Sequence, residues 1–351
     1  MTVDHGKLMD FLGKIVNDMG AVASAPMVVI GDKLGLYREM AKSGPLLPSE
    51  LAAKTGTAER YVREWLNNQS AGGYTTFDEK TGKYHLTEEQ AFCLADENSP
   101  GSVLGAFQIA MSMVKDEPKI RSAFKSGGGV EWGAHDADLF EGTERFFRSG
   151  YLANLTSTWI PSLEGMEEKL KNGAKVADVG CGHGASTIIM AKAYPKSRFI
   201  GFDYHEPSII EARNRAKKEG VSDRVKFEVA KATDFPGKDY DLVAIFDALH
   251  DMADPVGTVT HISKILKHDG ILMLVEPFAK DEVKDNMNPI GRLFYGASTM
   301  VCVPCSLASN GPALGAQAGP KRLEEVVKAG GFKKFRISTS TPFNIVIEAK
   351  L

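Results

Sequence analysis

The stretch Val176-Ala-Asp-Val-Gly-Cys-Gly-His-Gly-Ala-Ser-Thr187 decides how this chain is read. An apolar run ends at Gly180, and Gly180, Gly182 and Gly184 allow the backbone to bend tightly under a ligand before a helix begins. Dinucleotide-binding folds use such bends too, so the glycines alone do not identify the ligand. Asp178, two residues before the first glycine, separates the alternatives. A carboxylate at that position repels a pyrophosphate and attracts a positively charged nucleoside. Asp203 closes the next apolar run, where a carboxylate can take both hydroxyls of a ribose. A bend without any ligand leaves the two acids unexplained.

From residue 174 onward, apolar runs alternate with helical patterns. Strands are expected at Lys175–Val179, Arg198–Phe202, Val225–Val229, Leu242–Phe246 and Ile271–Glu276. Continuous apolar runs suit parallel strands covered on both faces. Phe335–Ser338 and Asn344–Glu348 read instead as an antiparallel hairpin. The fold class expected is α/β, a doubly wound seven-stranded sheet ending in an antiparallel hairpin.

The first hundred residues differ. One amphipathic helix is expected from Lys7 to Met19, and a second from Ser24 and Pro26 to about Gly44. Shorter helices follow at 49–54 and 57–69, with Ser49 and Thr57 as N-caps. Residues 73–86 read as a hairpin turning at Thr81-Gly82, and Thr87 with Gln90 forms a capping box. That order is the order of a winged helix. The domains expected are 1–100, a winged-helix dimerisation domain; 101–170, a helical linker and lid contributing to an acceptor pocket; and 171–351, the cofactor-binding catalytic domain.

Composition narrows the classes. At 351 residues, with 43% apolar and 25% charged residues, the chain is a globular protein with room for two domains. Lysine and arginine number 42 against 45 acids, which recommends neither nucleic acid nor an anionic membrane as partner. The recognition region of the winged helix is also neutral, with Lys54, Arg60 and Arg63 matched by Glu50, Glu59 and Glu64. No signal peptide is read at the start and Met19–Ile30 is too short to span a bilayer, so a cytoplasmic protein is expected. Cys302 and Cys305 have zinc-like spacing but no matching second pair, and no metal is expected.

The glycine bend with its two acids resembles the Rossmann-like (class I) family of S-adenosylmethionine-dependent methyltransferases, over about 174 to 351. The resemblance implies S-adenosyl-L-methionine as cofactor, with Asp178 and the glycines on its methionine end and Asp203 and Tyr204 at the ribose. It places Asp234 and Phe235 at the adenine, and Phe246, Asp247 and Tyr151 also along the cofactor. The adenine segment departs from the family's commonest pattern, in which an acid directly follows a small residue; here the chain reads Ala230-Lys-Ala-Thr-Asp-Phe235.

The fourth run ends Ile245-Phe-Asp-Ala-Leu-His-Asp-Met-Ala-Asp-Pro255, so His250 lies just past a strand tip, where open α/β sheets bind ligands. An imidazole there can take a proton from a hydroxyl or thiol during methyl transfer, and Glu276 at the neighbouring tip can orient it. With the winged helix in front, this pattern resembles the hydroxyindole and plant phenol O-methyltransferases, in which that domain dimerises. Their usual Trp after His-Asp is Met252 here, which implies a different acceptor pocket. The phrases Phe146-Phe-Arg-Ser-Gly-Tyr151 and Ser298-Thr-Met-Val-Cys-Val-Pro-Cys-Ser306 resemble an uncharacterised mycobacterial group of methyltransferases.

Pocket walls for a small apolar acceptor are expected from 130–151 and 288–306, with Trp132, His135, Phe147, Tyr295 and Cys302 as candidates. The expected protein is a homodimer moving a methyl group to an oxygen or sulfur of a small molecule. A thiol acceptor with little need of a base, and a cofactor-sensing regulator, are the alternatives.

Overall fold

The computed structural model describes residues 3–351 and divides the chain into two compact units. The first contains residues up to Ser112 with Glu141–Ser149; the second contains Met113–Phe140 and Gly150–Leu351. The segment 101–170, expected as a region of its own, is thus shared between them.

The first unit opens with a single helix, His5–Lys33, capped by the Asp4 side chain on the Lys7 N–H. The expected break at Ser24 and Pro26 does not occur. Pro26 removes one backbone donor, a loss that a helix of 29 residues absorbs, and Ser24 is a buried interior position. The chain turns instead at Gly35, whose φ of 70° is left-handed, before the helix Leu36–Ser43. The helices Pro48–Thr55 and Glu59–Ala71 follow. Their N-caps are Leu47 and Ala58, not Ser49 and Thr57: Pro48 takes the first helical position, the Glu50 carboxylate accepts from the Leu47 N–H at 2.7 Å, and Thr57 bonds to Thr55. Strands β1 (Thr76–Asp78) and β2 (Lys83–His85) pair antiparallel, and the Thr87–Gln90 box caps Glu88–Leu94. The core gathers Val28, Tyr37, Leu51, Trp65 and Leu66, with Tyr37 edge-on to Trp65.

The second unit holds strands β3 (Lys175–Val179), β4 (Arg198–Asp203), β5 (Val225–Val229), β6 (Tyr240–Phe246), β7 (Leu266–Pro277), β8 (Lys334–Ser340) and β9 (Asn344–Lys350). They form one seven-stranded sheet in the order β5-β4-β3-β6-β7-β9-β8. The first five are parallel; β9 is antiparallel to both neighbours. Val176, Ala177, Leu242, Val243, Ala244 and Ile245 show no exposed surface, as befits strands sandwiched between helices. The chain leaves β3 towards β5 and returns to the other side of β3 at β6. That reversal opens a crevice beyond the carboxyl ends of β3 and β6. The glycine bend, Asp203, Asp247, His250 and Glu276 all lie at strand tips around it. No single helix among the described residues is long and apolar enough to cross a membrane.

Candidate active site

The bend after β3 uses all three glycines, with φ of 74°, 51° and 80° at Gly180, Gly182 and Gly184. A Cβ on Gly184 would strike the Phe227 ring at 2.5 Å, whereas one on Gly182 would meet nothing within 4 Å. Gly184 therefore packs the helix Ala185–Ala193 onto the sheet, and Gly182 faces open space.

Asp178 is 1% exposed beneath this bend. Its Oδ2 accepts from the hydroxyls of Ser186 and Thr187, both at 2.6 Å, and its Oδ1 has no partner among the described residues. Burial pushes its carboxyl up to about 6 against the pull of those two hydroxyls. Asp203 knits the crevice: Oδ2 accepts from the Gly182 N–H at 2.9 Å and Oδ1 from the His205 N–H at 2.9 Å. Each oxygen keeps a second acceptor site. Tyr204 beside it is 60% exposed.

After β6 the backbone makes a left-handed step at Asp247, with φ 49°. The Asn344 amide on β9 donates to Asp247 Oδ1 at 2.8 Å, while Oδ2 is buried with no partner among the described residues. Burial, then neighbouring Glu276, holds this carboxyl well above its ordinary range. Phe246 packs on Tyr151 at 5.2 Å, and Tyr151 on Trp159 at 6.1 Å, so two of the expected cofactor-side rings meet.

His250 and Glu276 are 3% and 1% exposed, and Nδ1 of the imidazole lies 2.5 Å from Glu276 Oε2. The other oxygen accepts the Leu249 N–H at 3.0 Å. An ionised carboxylate can only accept, so this network assigns the proton to Nδ1 and leaves the Nε2 lone pair as the base. Burial opposes protonation, yet Glu276 and Cys302 outweigh it and hold the imidazole well above its usual range. Nε2 lies 3.3 Å from Cys302 Sγ. Asp251, next in the chain, is pushed up to about 7 by burial despite His250. Asp178, Asp203, Asp247, Asp251 and Glu276 gather as buried or half-buried acids at the strand tips, an arrangement that favours a cationic ligand.

Other expected residues fall elsewhere. Phe235 is 1% exposed and packed between Phe202 and His261 in the sheet core, so it has no face left for an adenine. Its apolar ring gains more from the core than from the surface. Asp234 is exposed. His135 is buried and held by Asp116 at 2.9 Å. Trp132 stacks on Phe140 at 5.2 Å, and Phe140 on His205 at 5.1 Å, beside the tip of β4. Tyr295 is half-buried, and Phe147 belongs to the first unit, against Phe146. Reading the sequence missed Ser186 and Thr187, whose hydroxyls directly after the bend are the visible signal. It also missed Asn344, which only the hairpin pairing brings to Asp247.

Two family models match the chain: a methyltransferase domain over residues 170–330, and an Rv2258c-like winged HTH domain over residues 22–96. Among curated proteins it is similar to 27-O-demethylrifamycin SV methyltransferase of Amycolatopsis mediterranei, 34% identical over 128 residues, covering 36% of this chain and 46% of that one. The chain spans about half, or less, of the length of the first curated relatives it matches. Human N-acetylserotonin methyltransferase in complex with SAM shares the fold with a TM-score of 0.73, at 17% identity, covering 100% of this chain and 99% of that one. A structure described as a putative O-methyltransferase from Nostoc punctiforme PCC 73102 shares it at 0.73 and 20% identity, covering 96% and 98%.

The residues present fit S-adenosylmethionine. The unpartnered Oδ1 of Asp178 suits its positive methionine end, Asp203 has acceptor sites for ribose hydroxyls, and the bare bend at Gly182 admits a ligand against the backbone.

Proposed function

Carrying a class I methyltransferase domain behind a winged helix-turn-helix domain, this chain, we propose, moves a methyl group from S-adenosyl-L-methionine to a hydroxyl of a small molecule. The observation that carries this reading is the imidazole of His250, fixed by Glu276 at the strand tip beside the glycine bend. Asp178, the bend and Asp203 would hold the cofactor, which supplies an electrophilic methyl group when bound. His250 Nε2 takes the acceptor's proton, and Glu276 stabilises the imidazolium that results. The buried rings of Tyr151 and Phe246 keep water from this end of the crevice. Similar proteins described as O-methyltransferases support oxygen over sulfur as the acceptor atom. Labelled cofactor offered with a panel of phenols, alcohols and thiols tests this directly. Label should enter a hydroxyl compound; transfer to thiols alone, or to none while S-adenosylhomocysteine binds, would contradict it.

The winged-helix domain is not a nucleic-acid reader, and the acceptor is a small molecule. Along the winged helix Arg60 is paired with Glu64, Arg63 with Glu59, Lys54 with Glu39 and Lys83 with Glu50, so its recognition region is neutral rather than basic.

The first unit dimerises. Leu12, Val16 and Met19 line one side of the helix His5–Lys33 and are 42%, 68% and 66% exposed, with Met9, Phe11 and Val22 also in the open. So long an apolar surface suits a second copy of the same helix. Sedimentation at micromolar concentration should give a dimer, and Val16→Glu with Met19→Glu a monomer; a wild-type monomer would contradict this assembly.

A further inference from the structure

Cys302 and Cys305 stand one helical turn apart, where the π-helical turn Ser298–Cys302 runs into the helix Val303–Ala308. Each meets an imidazole whose other nitrogen is fixed by a buried acid. Cys302 Sγ lies 3.3 Å from His250 Nε2, with Glu276 behind the ring. Cys305 Sγ lies 3.6 Å from His135 Nε2, with Asp116 behind that ring at 2.9 Å. A nucleophile, a base and a group orienting the base are the parts of a thiol-activating constellation. The chain has it twice, although methyl transfer uses neither sulfur.

The two are not equivalent. Asp116 also accepts from Lys119 Nζ at 2.6 Å and from the Asp136 N–H, so its charge is shared. Burial then lowers the His135 pKa and pushes the Cys305 thiol up. Around Cys302 the balance reverses: Glu276 gives its second oxygen wholly to His250 and favours its imidazolium. Phe294 and Ala316 pack in one cluster with the thiol and keep its surroundings dry. Cys181, equally buried, has only a carbonyl at 3.9 Å and no imidazole; burial, Asp203 and Asp178 push its thiol up.

We propose that Cys302 is a nucleophilic thiol at which soft electrophiles modify this protein covalently and close the active site, with His250 and Glu276 as its activating pair. The S–H proton passes to Nε2 and leaves a thiolate. With iodoacetamide, the sulfur attacks the methylene carbon, the S–C bond forms, the C–I bond breaks and iodide departs. The thioether then stands against Nε2, where an acceptor hydroxyl would have to approach, so labelling and loss of the base coincide. This rests on the geometry around His250 and holds whatever the methyl acceptor is.

The test is peptide-resolved mass spectrometry of the full-length protein after brief exposure to limiting iodoacetamide at about pH 6.5. Accessibility alone would put the half-buried Cys93 and Cys305 ahead of the buried Cys302 and Cys181. Activation puts Cys302 first, roughly tenfold ahead of Cys305, the gain in thiolate being partly offset by its lower intrinsic nucleophilicity. His250→Asn should bring Cys302 down to the rate of Cys181, and His135→Asn should leave it unchanged. Labelling of Cys302 no faster than Cys181, or equally fast in a folded His250→Asn protein, would overturn the proposal. Should His250→Asn not fold, Glu276→Gln decides in its place: labelling of Cys302 should fall towards the rate of Cys181, and labelling as fast as in wild type in the folded variant would overturn the proposal equally.

Discussion

Replacing His250 with asparagine should lower kcat/KM for a hydroxyl acceptor by roughly 10²–10⁴-fold, the usual contribution of a positioned general base. The imidazole stands at a strand tip with its Nδ1–H committed to Glu276, so once Nε2 is deprotonated it is placed to take the acceptor's proton. Asparagine keeps a polar group near Glu276 but has no lone pair of comparable basicity to offer the acceptor. Binding of S-adenosylhomocysteine should change little, because His250 touches neither Asp178 nor Asp203. Stability should fall by about 1–3 kcal/mol as Glu276 loses a buried partner, so the loss of rate must be read on protein shown to be folded by its thermal transition. Because Glu276 and Cys302 hold the imidazole above its usual range, the wild-type rate should rise with pH on the alkaline side of neutrality. The asparagine variant should lose that rise. A variant working at the native rate on a phenol would remove His250 from the chemistry.

The second large effect separates two glycines of one bend. Gly184→Ala should destabilise the second unit by about 2–4 kcal/mol, combining the left-handed backbone penalty with overpacking. Its φ is 80° and the added carbon would lie 2.5 Å from Phe227 and 3.1 Å from Ala212. Phe227 belongs to β5 and Ala212 to the helix Glu206–Lys218, so neither can retreat without moving an element. Gly182→Ala pays the backbone penalty alone, on the order of 1 kcal/mol, since nothing lies within 4 Å of the new carbon. That carbon enters the space a ligand would take, so Gly182→Ala should weaken S-adenosylhomocysteine binding more than it weakens the fold. Denaturant titrations and calorimetry on the two variants check this. Equal losses of stability would mean that Gly184 is not a packing glycine.

The catalytic sheet was legible because its chemistry is local. Leu242–Phe246 is an unbroken apolar run, Val176–Val179 is interrupted only by Asp178, and the glycines sit within a few residues of that acid. What was misread has identifiable causes. Strand β7 begins at Leu266, ahead of the expected Ile271, because Lys267-His-Asp-Gly270 has the composition of a turn although Leu266 pairs with Tyr240. The continuous helix through Pro26 shows a long helix overriding one unfavourable residue. Phe235 follows a plausible adenine segment by position, yet an aromatic ring beside Phe202 and Tyr240 is worth more in the core. His250 and Glu276 could be placed at adjacent strand tips from the sequence, whereas Asn344 beneath Asp247, and the contacts of Cys302 and Cys305 with two different imidazoles, depend on segments brought together only by the fold.

Most of the site follows from one buried acid. The unpartnered Oδ1 of Asp178 stands under a bare backbone bend and favours a ligand that brings positive charge to it. Isothermal titration of the full-length protein with S-adenosylhomocysteine and, separately, with NAD and NADP measures that preference directly. The expected result is saturable uptake of S-adenosylhomocysteine, whose ammonium meets Asp178, and no heat from either dinucleotide. Saturable binding of NAD or NADP without uptake of S-adenosylhomocysteine would contradict it.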